Sequence, residues 1–270
     1  MPRDAVAPLL TALRDATVYD LEQPRYEGAP TFPAHRPGFL YFLHRRHERG
    51  LEARTSASGV VVMAEHSGTH IDALCHQAED MRMFGGRGVD ARVQSTTGFT
   101  ELGVETIGPI LARGVLIDVA RHRGLDRIPP GELVGGDELA AAAQAQRIEV
   151  TPGDVVLVRT GNGDRWGDPV DYLRGPGIAT SASEWLAGRD VLAVGADNVA
   201  WDPIGPVGPD GRTLPGHVVL IVRHGIYILE NLLLEQLAAD GRREFVFLCL
   251  PLKMVGVTGS PVRPLALVPR

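Results

Sequence analysis

Apolar positions in this chain fall into short runs separated by Gly, Pro, Asp and Asn. Runs of four to six apolar residues bounded by turn residues predict strands. They occur at Val18–Leu21, Gly38–Leu43, Gly114–Val119, Val155–Val158, Val191–Val194, Ile226–Leu229 and Phe245–Leu250. Gly59–Ala64 is a further continuous run, which suits a strand buried on both faces. It predicts a core strand that delivers the chain into His66. Helical patterning is sparser. Residues 4–15 place Leu9, Leu10 and Leu13 on one side, and the alanine-rich stretch Glu138–Arg147 follows Asp137, an acceptable N-cap. Ser181-Ala-Ser-Glu184 reads as a capping box opening a helix through Ala187. A helix starting at His217 would stop at Gly225, and a short one covers residues 232–239. Residues 24–37 and 202–216 are rich in Pro and Gly and predict loops, and 257–264 predicts an extended tail. Strands outnumber helices, and helices fall between some of them, which predicts an α/β or α+β fold with a mixed sheet. No internal repeat, low-complexity segment or linker divides residues 1–270, so a single domain is expected.

Composition removes several function classes. Hydrophobic residues make up 44% and charged residues 22% of the 270, an ordinary globular balance with enough apolar material for a large core. A net charge of -6 and no Arg/Lys stripe argue against a nucleic-acid partner. No apolar run reaches the roughly 18 residues of a membrane span. The charged N-terminus lacks the apolar core of a signal peptide. Two cysteines, Cys75 and Cys249, with no Cys-x-x-Cys, argue against a disulfide framework. A cytoplasmic location is expected.

The chemistry concentrates in His66-Ser-Gly-Thr-His70-Ile-Asp72-Ala-Leu-Cys-His76, which holds three of the nine histidines. The offsets from His66 are 4, 6 and 10, and even offsets share one face of an extended chain. A straight segment of that length would span roughly 33 Å, too far for one ion. The chain must bend, and Gly68 is where a bend is cheapest. Imidazoles and a carboxylate around one centre suit zinc, manganese or iron.

Eleven residues rarely complete a ligand shell, so a second His/acid source is needed. His217 and Glu230 are the best candidates, because a helix stop at Gly225 lets the following strand return Glu230 towards His217. Isolated histidines such as His35, His122 and His224 read as surface or internally satisfied groups. Ser67 has the wrong parity and no Gly-x-Ser-x-Gly elbow for a nucleophile. Cys75 reads as a packed thiol. Asp197, after a strand, reads as a turn residue or as a group facing the site. Phe32, in the Pro-rich loop, either caps the core or lines a pocket.

These residues resemble a known family. The stretch His66 to Asp72 and His76 is similar to the H-x-G-T-H-x-D-x-x-x-H signature of the cyclase family of metal-dependent hydrolases, which includes bacterial kynurenine formamidase and isatin hydrolase. Asp20-Leu21 with Pro30-Thr-Phe32-Pro33, Arg159-Thr-Gly161, Gly195-Ala-Asp197 and His217…Gly225-Ile-Tyr-Ile-Leu-Glu230-Asn-Leu resemble further blocks of that family. The resemblance implies a swivelling β/β/α-type α/β fold with a mixed sheet, assembled as a homodimer or higher homo-oligomer. It implies one or two Zn2+ or Mn2+ ions, with His66, His70 and Asp72 at one position and Asp72, His217 and Glu230 at the other. It implies His76 as general acid/base and Phe32 against a small-molecule substrate. The implied activity is metal-dependent hydrolysis of an amide, lactam or ester bond, of the amidohydrolase type acting on C–N bonds other than peptide bonds. A metal-dependent cyclase or lyase of secondary metabolism is the alternative enzyme class, and a non-catalytic metal-binding protein is the alternative outside catalysis. The chain departs from the formamidases at Leu74, where they carry proline, and from isatin hydrolase at Glu230, where it carries glutamine.

Overall fold

The computed structural model describes residues 6–50, 52–205 and 211–269. A nine-stranded mixed sheet runs through it in the order Thr17–Asp20, Leu265–Val268, Glu244–Cys249, Ile110–Asp118, Val155–Arg159, Ala193–Ala196, Tyr227–Glu230, His70–Asp72 and Gly259–Pro261. The four strands from Ile110–Asp118 to Tyr227–Glu230 are parallel, and those flanking them on both sides pair antiparallel. The predicted α/β class with a mixed sheet is the observed one.

Both faces of the sheet are covered, which explains why its central strands read as continuous apolar runs. Val115, Ile117, Val156 and Val158 face a core shared with the helices Gly136–Ala145, Thr180–Ala187 and Pro215–His224. Their strand neighbours Leu116, Val155 and Leu157 face a second core with Tyr19, Leu21, Phe245, Phe247 and Leu237 of the helix Glu235–Ala239. Burying one such aliphatic side chain contributes about 1.5–3 kcal/mol, so the alternation fixes the register of these strands firmly.

The run at Gly59–Ala64 is a correction. It forms the strand Ser58–Met63, but it pairs only with Phe39–Arg45 in a separate two-stranded hairpin. Val60, Val61 and Val62 are each 48% exposed, and Tyr41, Phe42 and Leu43 of the partner strand are exposed too. Among the described residues no third element covers the apolar faces of this two-stranded ribbon. The same lack of cover leaves Leu10 and Leu13 exposed on the helix Val6–Arg14.

Two helix starts also differ from expectation. Asp137 lies inside the first turn of its helix, with Gly135 as the cap. Ser181 does not cap its own helix; its hydroxyl accepts from the Gly136 N–H at 3.0 Å and so ties two helix N-termini together. Gly225 ends its helix in the left-handed conformation as expected, at φ 68°. The tail contains the strand Gly259–Pro261, which forms the sheet edge beside His70–Asp72. Among the described residues no helix is long and apolar enough to cross a membrane.

Candidate metal centre

The centre is assembled on the short strand His70–Asp72 and the two strands beside it. Antiparallel pairing sets Glu230 directly opposite His70, and Gly259 directly opposite Asp72. Directly opposite side chains on one sheet face lie close enough to interact. His70 Nε2 stands 3.4 Å from Glu230 Oε2 and 3.5 Å from Asp72 Oδ1. Parity therefore places His70 and Asp72 correctly, but not His66 and His76. His66 arrives through a turn at Gly68, which bends at φ 62° as expected. His76 arrives through a turn after the strand, in which its N–H donates to the Ala73 carbonyl at 2.9 Å.

That first turn is held from outside. The Arg25 guanidinium donates to the Ser67 and Thr69 carbonyls, and Asn231 Nδ2 donates to the Gly68 carbonyl at 3.0 Å. The Thr69 hydroxyl donates to the Asn231 carbonyl at 2.6 Å. Gly259 leaves room for the His66 ring: a Cβ there would sit 2.5 Å from His66 Cε1. Ser67 donates its hydroxyl to the Ala64 carbonyl, and Cys75 is a buried free thiol. Asp197 accepts from Thr160 N, Thr160 Oγ1 and Gly161 N and so clamps the loop that follows Val155–Arg159.

Two donor sets share Asp72. Ligand atoms of His66, Asp72 and His76 lie within 4.8 Å of one another, and so do those of Asp72, His217 and Glu230. His66 Nδ1 is 2.8 Å from Asp72 Oδ1, and His217 Nε2 is 3.5 Å from Asp72 Oδ2 and 3.3 Å from Glu230 Oε1. His70 stands beside both carboxylates, while His76 joins His66 and Asp72.

Each ligand-type histidine except His76 is oriented by its other ring nitrogen, as metal-binding imidazoles commonly are. His70 Nδ1 bonds the Gly68 carbonyl at 2.8 Å, His66 Nε2 bonds Thr258 Oγ1 at 2.8 Å, and His217 Nδ1 bonds Asp202 Oδ2 at 2.7 Å. Thr258 Oγ1 donates to Glu65 Oε1, so its oxygen lone pair is free to accept from His66. Burial opposes charge on His66, but the Asp72 carboxylate facing its Nδ1 outweighs burial and raises the pKa.

The donor set fits a cation on this ground. His66 Nδ1, both Asp72 oxygens and Glu230 Oε1 are buried with no hydrogen-bond partner. Orphaned buried acceptors are costly and converge here around a space of about 20 Å3. The electrostatics agree. Burial pushes the Glu230 carboxyl up to about 7, and burial pushes His70 down to about 3. Burial also opposes charge on His217, but its bond to Asp202 and the nearby Asp72 and Glu230 carboxylates overcome this and raise its pKa well above the usual imidazole value. Burial resists ionisation of Asp72, yet the surrounding histidines hold its pKa well below the usual carboxylate range. Burial lowers His76 well below the ordinary imidazole value, which keeps it neutral and able to accept a proton.

With this geometry in place, the comparisons are decisive. The family model described as "Putative cyclase" matches residues 19–203. The chain belongs to the cyclase family. This cyclase-family chain is 30% identical over 237 residues to the isatin hydrolase of Roseibium aggregatum, covering 84% of this chain and 81% of that protein. It is 28% identical over 255 residues to the kynurenine formamidase of Paracidovorax citrulli, covering 93% and 97%. The solved structure of isatin hydrolase A from Ralstonia solanacearum superposes with a TM-score of 0.75 at 27% identity, covering 99% of this chain and 97% of that one.

In the cyclase-family chain the seven nominated residues, Phe32, His66, His70, Asp72, His76, His217 and Glu230, all border one small cavity. Four residues at the centre were not legible. Asp202 sits in a Pro/Gly-rich loop that carries no motif, and Thr258 and Glu65 read as ordinary polar positions. His35 reads as an isolated histidine, but its ring centroid lies 4.9 Å from that of His66 and 5.8 Å from that of Phe32.

Asp202 gives a test of the centre that leaves every ligand-type residue in place. Its carboxylate accepts from Gly216 N at 2.7 Å and His217 N at 2.9 Å as well as holding His217 Nδ1. Asp202→Asn is expected to weaken metal affinity by about 10–100-fold, the usual effect of removing such a partner. Competition with a chromophoric chelator measures it, and unchanged affinity would remove Asp202 from the centre.

Proposed function

We propose that this chain is a metal-dependent hydrolase that opens an amide, lactam or ester C–N or C–O bond of a small aromatic or cyclic substrate, acting as one domain over residues 1–270. The observation that carries this is the pair of buried donor sets sharing Asp72, which opens through His66 and His76 onto a cavity of about 520 Å3. Cavities of about 300–1,000 Å3 suit small-molecule substrates. The relatives named isatin hydrolase and kynurenine formamidase support the bond class.

His66, His70, Asp72, His217 and Glu230 would hold one or two Zn2+ or Mn2+ ions. When bound, such an ion supplies Lewis acidity, acidifying a water and polarising a carbonyl oxygen. The chain's own work is positioning and proton transfer. His76 borders both the metal centre and the larger cavity, so it can take a proton on one side and return it to a leaving nitrogen or oxygen on the other. Phe32 offers an aromatic surface beside that transfer, and the apolar cavity wall limits competing water.

The test is a substrate panel of N-formyl anilides, isatin-type lactams and aryl lactones run with Zn2+ and Mn2+ in 18O-labelled water. Turnover with one 18O in the product is expected. Turnover without label would favour cyclisation or elimination, and no turnover with either metal would overturn the reading.

The exposed apolar hairpin supports a homodimer, since an uncovered ribbon with both strands apolar is a pairing surface. Sedimentation equilibrium should return twice the 29.0 kDa chain mass, and a monomer would contradict it.

A further inference from the structure

The cavity of about 520 Å3 has a mixed lining. Met63, Leu252, Met254 and Val257 offer flexible aliphatic and thioether surface. His66 and His76 of the metal centre line it too, as do His35 and Arg36. The His35 ring centroid lies 4.9 Å from that of His66 and 6.4 Å from that of His76. Arg36 is exposed and has no carboxylate partner among the described residues. A guanidinium stays charged at any working pH and offers several N–H donors in one plane.

The only acid on the cavity wall is Glu65, and it is engaged. Its carboxylate accepts from Thr258 N at 3.0 Å and from Thr258 Oγ1 at 2.5 Å. No ion pair joins it to Arg36 among the described residues. The cavity thus combines an apolar wall, two histidines of the metal centre and one guanidinium without a carboxylate partner among the described residues.

We propose that this cavity selects a substrate with an apolar body bearing an anionic group, seated with its anion on Arg36 and its scissile bond towards His76. This deepens the hydrolase reading and rests on it. The apolar body lies along Met63, Leu252, Met254 and Val257. The charge sets orientation: an anion drawn to the metal centre instead would present the wrong end to His76.

The experiment uses the metal-loaded protein and two substrates, formanilide and 4-formamidobenzenesulfonate. The sulfonate is a poor metal ligand, so it reports on Arg36 rather than on the centre. The expected kcat/KM ratio favours the sulfonate by about fivefold, in line with roughly 1 kcal/mol for a partly exposed ion pair. Arg36→Gln should bring that ratio to about one, and Arg36→Lys should retain most of it. A ratio that Arg36→Gln leaves unchanged overturns the proposal. A second arm needs no turnover. NMR titration with toluene-4-sulfonate, and with methyl phenyl sulfone as the neutral control, should show the sulfonate weakened by about fivefold in Arg36→Gln relative to the control. If neither formamide is hydrolysed, the function reading fails while the titration still decides the anion seat. Equal sulfonate affinity in both proteins overturns it there.

Discussion

Asp72→Asn is expected to abolish metal binding and turnover together. Asp72 is the one residue common to both donor sets, and it is buried. Its two oxygens face different partners, Oδ1 towards His66 and His70 and Oδ2 towards His217. Asparagine keeps one of those oxygens, replaces the other with an NH2 group that cannot ligate, and removes the negative charge that offsets a dication. Partners outside the ligand set alone change affinity by about 10–100-fold, so loss of a shared ligand is expected to exceed a hundredfold. Elemental analysis after repletion should find the wild type loaded and the variant nearly empty. Stability gives an independent readout. A ligand at about 100 times its Kd adds about 2.7 kcal/mol, which raises Tm by about 5–10 °C in a chain of this size. The wild type should gain that on adding Zn2+ or Mn2+ and the variant should not, while their metal-free circular dichroism spectra coincide. A variant that binds metal like the wild type would show that the two donor sets do not depend on Asp72.

Much of this arrangement was legible before any coordinates, for identifiable reasons. The central parallel strands announce themselves because a strand covered on both faces has no polar positions to interrupt it, as at Val155–Val158. The stop at Gly225 and the return of Glu230 were also readable, since a left-handed helix stop is a local requirement. The same logic misled at Gly59–Ala64. A continuous apolar run signals a surface that must be covered, but not by what, and here no other element among the described residues covers it. Parity in the His66–His76 stretch was right only over His70–Asp72, because strand periodicity ends where the chain turns, at Gly68 and after Asp72. Asp202, Thr258 and His35 were invisible for a different reason. Each acts through a tertiary contact with a residue at least 15 positions away, and nothing in its own neighbourhood records that contact. The ligand-type residues announce themselves by type and spacing, whereas the groups that orient them do not.

His76→Asn is the prediction that separates proton transfer from ligation at the centre. Two roles compete for His76. His76 offers a ring nitrogen within 4.8 Å of ligand atoms of His66 and Asp72, as a third ligand would. It is also the centre's one ligand-type histidine without a hydrogen bond fixing its second nitrogen, whereas Gly68, Thr258 and Asp202 fix the other three. A ligand benefits from such fixing, but a group that passes a proton between two places benefits from its absence. His76 also borders both the metal centre and the substrate cavity, and His70 and His217 border only the centre. Burial keeps its imidazole neutral, the form that accepts a proton. Asparagine is expected to leave the metal content and the metal-induced rise in Tm at wild-type levels and to lower kcat by about 10²–10⁴-fold, the usual contribution of a positioned acid/base group. KM should change far less, because substrate contacts along the apolar wall remain. Free imidazole added to His76→Ala should restore part of the rate, since it can enter from the same cavity. A parallel loss of metal and rate in both variants would instead make His76 a ligand and require the proton carrier to be sought at His35, the next imidazole along the cavity.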